Sequence, residues 1–255
     1  MHTSRKKPTG LTGRYLYAIV SGSEERSYGS LGINGGRVYT ISDGDVAAVV
    51  SDVLNQKIRP ERRHFAAHQG VLKKVMEDSD LLPMSFGMIS SGPKAVRGLL
   101  ARNREAISAE LGRVAGKVEM GLRVSWDVPN IFEFMVKVHP ELQEARDRIL
   151  NPQREVTQAE KIELWQLFEQ LLSSDRDRYS GKVEQILDPT CFEIKQNKCR
   201  DEREVMNLAC LVGRGSLAGF EAAVFKAASF FDDNFAFDYN GPWAPHNFVE
   251  IEVDA

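Results

Sequence analysis

The sequence predicts an α+β protein made of two packed α/β domains with antiparallel sheets. Three observations carry this. The second half of the 255-residue chain reads strand, helices, strand, strand, helix, strand, the order of a ferredoxin-like split βαβ unit. The first half shows a related but less regular order with an extra hairpin. No low-complexity linker separates the halves, so they are expected to pack closely, with a boundary near Gly112 to Gly116.

The elements follow from residue spacing. Met1 to Gly13 is polar and is expected to be a disordered extension. Tyr15 to Val20 is an aromatic and β-branched run that stops at Ser21-Gly22-Ser23, which reads as a buried strand. Val38 to Ile41 and Val46 to Val53 flank Ser42-Asp43-Gly44-Asp45, a hairpin signal. Pro60 marks a helix start, followed by Phe65, Ala66, Gln69, Val71, Leu72, Val75 and Met76 at helical spacing. Leu81 to Ile89 is apolar but broken by Pro83 and Gly87, which predicts an irregular or edge strand. Val96, Leu99, Leu100, Ile107, Leu111 and Val114 form one helical stripe that ends at Gly116.

Val118, Met120, Leu122 and Val124 then alternate with polar residues through Trp126, a strand pattern. Pro129 and Pro140 punctuate two helical pieces, and Asn151-Pro152 ends the second. Ile162, Leu164, Trp165, Leu167, Phe168, Leu171 and Leu172 predict a deeply packed helix. Phe192 to Gln196 and Val205 to Val212 read as strands. Ser216 to Phe231 is apolar nearly all round, which predicts a buried helix. After Phe235-Ala236-Phe237 comes the densest stretch of signal, Asp238-Tyr239-Asn240-Gly241-Pro242-Trp243-Ala244-Pro245-His246-Asn247-Phe248. Asn-Gly and two prolines predict a turn, and Phe248, Ile251 and Val253 with Glu250 and Glu252 a half-buried strand. An end this aromatic is expected to be docked.

Composition narrows the function classes. Charged residues are 27% and hydrophobic residues 42%, the balance of a soluble globular protein. A net charge of −3 gives no concentrated basic face for nucleic acid. Arg5-Lys6-Lys7 lacks the apolar core of a signal peptide, and no apolar run is long enough to span a bilayer. Cys191, Cys199 and Cys210 have neither metal-site spacing nor an even count, so a reducing, cytoplasmic setting is expected.

The chemical motifs have bland readings that outweigh sharp ones. His64 and His68 are four apart on a predicted helix, a zinc-chelating spacing, but His64-Phe65-Ala66-Ala67-His68 lacks the general-base glutamate. A surface or interdomain pair is the better expectation. Gly213-Arg214-Gly215-Ser216-Leu217-Ala218-Gly219 opens a helix after a strand, where phosphate can bind. It matches neither a dinucleotide fingerprint nor a P-loop, and Ser216 as a helix cap explains it better. Gly32-Ile33-Asn34-Gly35-Gly36 reads as a turn. Glu250 and Glu252 read as a solvated strand face. Ser85 and Ser216 lie in no nucleophile elbow. His246 reads as structural. No catalytic, metal or cofactor residue is indicated.

Several segments together resemble the GvpF/GvpL family of gas vesicle proteins. They are Tyr15-Leu16-Tyr17-Ala18-Ile19-Val20, Ala47 to Val53, Leu81-Leu82-Pro83-Met84-Ser85-Phe86-Gly87, Gly116 to Leu122 through Trp126-Asp127, Met206-Asn207-Leu208-Ala209, and the tail from Phe237 to Phe248. The polar extension before Arg14 departs from the pattern, and Trp165 stands where a small residue is expected. The resemblance implies a two-domain protein: residues 14–114 as a modified ferredoxin-like domain and 115–255 as an α+β domain with the docked tail. It implies a cytoplasmic, vesicle-associated assembly or minor structural protein that contacts the small hydrophobic shell subunit and other gas vesicle accessory proteins, with no catalytic residue, cofactor or small-molecule substrate. Tyr239, Trp243, His246 and Phe248 are the candidate partner-binding residues, since aromatic anchors favour interfaces. The rival expectation is a nucleotide-binding enzyme that uses the loop at 213–219.

Overall fold

The computed structural model describes residues 12–151, 153 and 155–250. Of the extension expected to be disordered over Met1 to Gly13, the part before residue 12 lies outside them, as do the tail positions Ile251, Glu252 and Val253; Thr12 and Gly13 instead open the first strand, paired with Leu54 and Val53. Two units emerge. One comprises the described residues up to Glu119 and those from Pro242 on; the other is Met120–Gly241. The tail after Trp243, expected with the second half, therefore belongs to the first unit.

The first unit is built on a sheet of six strands. They are β1 (Thr12–Ser21), β2 (Ser27–Gly29), β3 (Val38–Asp43), β4 (Val46–Leu54), β5 (Leu81–Pro83) and β6 (Ile89–Ser90). The order is β2-β3-β4-β1-β5, with β6 also pairing β1. The β3–β4 hairpin turns at Gly44, whose φ of 64° supplies the positive dihedral that the sequence signal required. β1 has partners on both edges, so Tyr15 to Ile19 are fully buried. The expected irregular strand resolves into β5 and β6, separated by Gly87 at φ 91°.

The register of β1 against β4 slips between Leu16 and Ala18. This bulge changes the alternation, because one extra residue reverses which face the following side chains meet. Leu16 and Ile19, odd partners for a regular strand, consequently share one core with Ala48, Val50 and Leu82. Helices α2 (Pro93–Arg102) and α3 (Arg104–Val114) cover that face. The sequence stripe predicted one helix here. It is broken at Asn103, whose φ of −107° and ψ of 13° leave the helical basin; its Nδ2 donates to the Leu99 carbonyl at 2.9 Å. α1 (Arg62–Met76) starts two residues after Pro60 and buries His64, His68, Val71, Leu72, Val75 and Met76.

The second unit carries a four-stranded sheet of β7 (Lys117–Trp126), β8 (Glu193–Gln196), β9 (Glu204–Gly213) and β10 (Phe235–Trp243). Its order is β10-β7-β9-β8, the 4-1-3-2 arrangement of the split βαβ unit that the element order predicted. Between β7 and β8 run α4 (Ile131–Val138), α5 (Pro140–Ile149) and α6 (Gln158–Leu187); α7 (Leu217–Ala228) joins β9 to β10. Trp126, Phe168, Leu172, Val183, Val212 and Phe220 share its core.

Three expectations are corrected here. α6 is not deeply packed throughout: Phe168 and Leu172 are buried, but Ile162 and Trp165 are about half exposed. It also extends past Leu172 to Leu187 through a polar stretch, started by a capping box in which Thr157 Oγ1 accepts from the Glu160 amide at 3.3 Å and Glu160 Oε2 accepts from the Thr157 amide at 3.0 Å. α7 buries only one face, through Phe220, Ala223, Val224 and Ala227, and leaves Phe225 63% exposed. Finally, Asn240-Gly241-Pro242 lies inside β10 and makes no chain reversal; Gly241 bends the strand at φ 132°.

Candidate functional site

The histidine pair is not a surface pair. Both side chains face into the first unit from α1, because positions four apart on a helix share a face. His64 is 6% exposed; its Nδ1 lies 2.8 Å from the Arg59 carbonyl and its Nε2 3.2 Å from Asn34 Oδ1. His68 is 1% exposed, and its Nδ1 lies 2.9 Å from the Tyr15 hydroxyl. The two rings are thus held by different partners. Among the described residues no group of three His, Cys, Asp or Glu side chains is arranged to hold a metal.

Around His68 lies an aromatic cluster. Its ring is 5.7 Å from Tyr15, 5.6 Å from Tyr17 and 5.9 Å from Phe86, centroid to centroid. Phe65, one helical turn before Gln69, stacks on Phe86 at 4.1 Å and is 43% exposed. The Tyr15 hydroxyl accepts from the Gly87 amide at 3.0 Å, and burial pushes its pKa up to about 12. The Tyr17 hydroxyl accepts from the Ile33 amide at 2.8 Å and meets Ser51 Oγ at 2.8 Å; burial raises it too. The 32–36 loop is therefore the expected turn, tied down by Tyr17. A Cβ on Gly32 would fall 2.6 Å from that hydroxyl, so the site requires glycine.

Burial holds the His68 pKa down at about 4, and the neighbouring His246 ring opposes a second positive charge. The Met84 carbonyl favours the protonated ring, but Nε2 does not reach hydrogen-bond geometry with any group. His68 is thus neutral near pH 7, with one nitrogen satisfied and the other enclosed.

The tail joins this cluster. His246 keeps an exposed surface, and its ring centroid lies 6.5 Å from that of His68. Its pKa is lowered by partial desolvation. Phe248 is fully buried, so it holds the tail from within. Next to it, Asn247 donates twice to the Glu119 carboxylate, from the backbone amide at 2.8 Å and from Nδ2 at 2.6 Å. Glu119 is 8% exposed; burial raises its pKa and the two Asn247 donors partly offset that. The chain from 246 to 248 is a turn closed by the Phe248 amide on the Pro245 carbonyl at 3.1 Å, where the sequence predicted a strand beginning at Phe248. Trp243 is 43% exposed. Sequence reasoning missed Glu119, which sits on the expected polar side of β7 and is buried by its bond to the tail.

Tyr239 belongs to the other unit. Its hydroxyl donates to Glu221 of α7, and its ring meets Phe225 edge-on at 6.4 Å. The 213–219 loop is a 3-10 turn, Arg214–Ser216, running into α7. Ser216 makes no side-chain cap bond, contrary to the sequence reading. Gly213 packs against the Phe192 ring, which a Cβ would meet at 3.4 Å. The three cysteines are free thiols, and Glu250 is exposed, though not on the strand expected for it. No helix among the described residues is long and apolar enough to cross a membrane.

Comparison with known proteins identifies the lineage. The family model described as gas vesicle synthesis protein GvpL/GvpF matches residues 13–250. Gas vesicle protein F2 of Halobacterium salinarum is 28% identical, over 94% of each chain. Gas vesicle protein F of a Streptomyces species is also 28% identical, over 92% of this chain and 99% of its own. The crystal structure of GvpF from Anabaena superposes with a TM-score of 0.82 at 24% identity, covering 94% of this chain and 99% of that one. That of GvpF from Microcystis aeruginosa gives 0.79 at 21%, with the same coverage. At these identities the structural likeness establishes the α+β fold. These relatives are named for gas vesicles and not for an enzymatic activity, and the sequence match adds the lineage: this chain belongs to the GvpL/GvpF family of gas vesicle synthesis proteins.

Proposed function

We propose that this chain acts in gas vesicle formation by binding and not by catalysis, and that it contacts the small hydrophobic shell subunit in the cytoplasm before or during assembly. The observation that carries this reading is the aromatic surface of the first unit, where half-exposed Phe65 stacks on Phe86, and Phe86 meets His68, the ring neighbour of exposed His246. A shell that excludes water must be made of subunits with a strongly apolar surface, and such a patch aggregates when left bare. A mildly acidic carrier with exposed aromatic anchors is suited to mask it. Trp243 and His246 extend the contact surface from the tail, and Phe248 positions them. In the second unit Tyr239 and the exposed Phe225 offer an aromatic contact of the same kind. Other gas vesicle accessory proteins are the remaining partners this reading supports.

The test is a pull-down of the shell subunit with the full chain, at low salt and at ~1 M salt, where surface charge attraction is screened within ~3 Å. Apolar burial predicts retention at high salt and loss with Phe65→Ser. Binding that disappears with salt would sink the apolar mechanism. Normal vesicles in a deletion strain without a paralogue would sink the functional reading itself.

A further inference from the structure

We propose that the first unit carries a binding site for a diphosphate group, in a cleft at the β2 edge of its sheet, distinct from the tail cluster. The cleft has a volume of about 550 Å³. It is lined by Arg37, just before β3, with Tyr39 and Ile41 of β3; by Arg26 and Ser27 at the edge strand; and by Pro93 and Arg97 of α2, which packs on β3. The opening exists because β2 is only three residues long and α2 covers the sheet inward of it. Cavities of this size hold ligands larger than a lone phosphate.

The charges in the cleft are not balanced from within. Arg97 makes no ion pair or hydrogen bond among the described residues. Arg37 spends only its Nε, on Ser27 Oγ at 3.3 Å, which leaves both terminal nitrogens to the cleft. Arg26 donates to Ser79 Oγ at 2.9 Å and reaches Glu24 at 4.0 Å. Of the two acids in the lining, Asp52 is already engaged, accepting from the Tyr39 hydroxyl at 2.7 Å and lying 3.1 Å from Arg14. Glu25 is the remaining acid of the lining, so with Glu24 reaching Arg26 the three guanidinium groups still exceed the acids that face them. Guanidinium forks on two facing walls suit an extended anion with several acceptor oxygens. The first turn of α2 opens at the cleft through Pro93 and adds its partial positive charge. A diphosphate, with several acceptor oxygens and more than one negative charge, matches this net positive charge. The sequence alone showed nothing of it, because Arg26, Arg37 and Arg97 are scattered along the chain and come together only across β2, β3 and α2.

The diphosphate could come from an inorganic or a nucleotide source, and calorimetry on the full chain separates them. Pyrophosphate, titrated at fixed ionic strength, should bind one per chain, with sulfate at least about tenfold weaker. Arg37→Ala and Arg97→Ala should each weaken pyrophosphate by about tenfold or more, with unchanged melting because both side chains are exposed. Arg148→Ala, in the other unit, should change nothing. ADP binding tighter than pyrophosphate assigns a nucleotide, with its base against Tyr39 and Pro93; binding no tighter assigns an inorganic diphosphate. No measurable pyrophosphate binding, or binding equally retained in Arg37→Ala and Arg97→Ala, overturns the site.

Discussion

His68 should make the stability of this protein fall on acidification, by an amount that the structure sets. The side chain is almost wholly enclosed, and its pKa is held down from the usual 6.5 to about 4. A group depressed on folding contributes stability that is complete above its unfolded pKa and is lost as pH falls toward the folded one. The window therefore opens near pH 6.5 and closes near pH 4. At about pH 4.5 the unfolded ring is charged and the folded ring mostly is not, which removes roughly 2.5 kcal/mol relative to neutral pH. The groups around the ring decide whether this is visible. Tyr15 and Tyr17 stay neutral throughout, since both are pushed upward. His246 is also depressed and adds to the loss. Glu119 is raised, so it has the opposite sign: its buried charge disfavours folding at higher pH and the cost is relieved as it protonates. The comparison must therefore be made against a variant that leaves those groups in place. His68→Asn keeps an acceptor for the Tyr15 hydroxyl and cannot titrate. Urea midpoints from about pH 7.5 to about pH 4.5 should drop more steeply for the wild type than for His68→Asn, by about 2–3 kcal/mol in unfolding free energy. Parallel curves would refute the placement of His68 as a buried, neutral, half-satisfied ring.

Two further outcomes test the packing. Asn247→Ala removes the Nδ2 donor to the buried Glu119 carboxylate and should cost about 1.5–3 kcal/mol, read as a lower urea midpoint; an unchanged midpoint would mean the tail is not held by this bond. Thr157→Ala breaks the capping box of α6 and should cost about 0.5–2 kcal/mol, with hydrogen exchange speeding up first in the opening turn of that helix; protection unchanged from Gln158 onward would contradict it.

The strands were legible because burial writes itself into alternation. Val118 to Trp126, Val46 to Val53 and Tyr15 to Val20 were all located from apolar spacing, and with the helix order they imply the 4-1-3-2 sheet. What the sequence did not carry were facts that depend on a distant partner. Nothing local distinguishes Glu119 from a solvated strand glutamate; only Asn247, far along the chain, makes its burial tolerable. His64 and His68 look alike in the sequence, yet one is held by Arg59 and Asn34 and the other by Tyr15. Asn240-Gly241 reads as a turn because its propensities are those of a turn, but pairing along β10 overrides them, and only the φ of Gly241 records the conflict. The aromatic tail reads as docked, but the unit that receives it and its division of labour are not visible in the sequence. A buried Phe248 and an exposed Trp243 have the same hydrophobic signature in a sequence. Their separation comes from the turn at 246–248, which directs one side chain inward, and from Glu119, which fixes that turn. If the tail works as a partner-binding element, it does so as a rigid presentation of Trp243 and His246. A rigid surface loses little conformational entropy on contact, and that favours binding through a few aromatic anchors over a wide, adaptable interface.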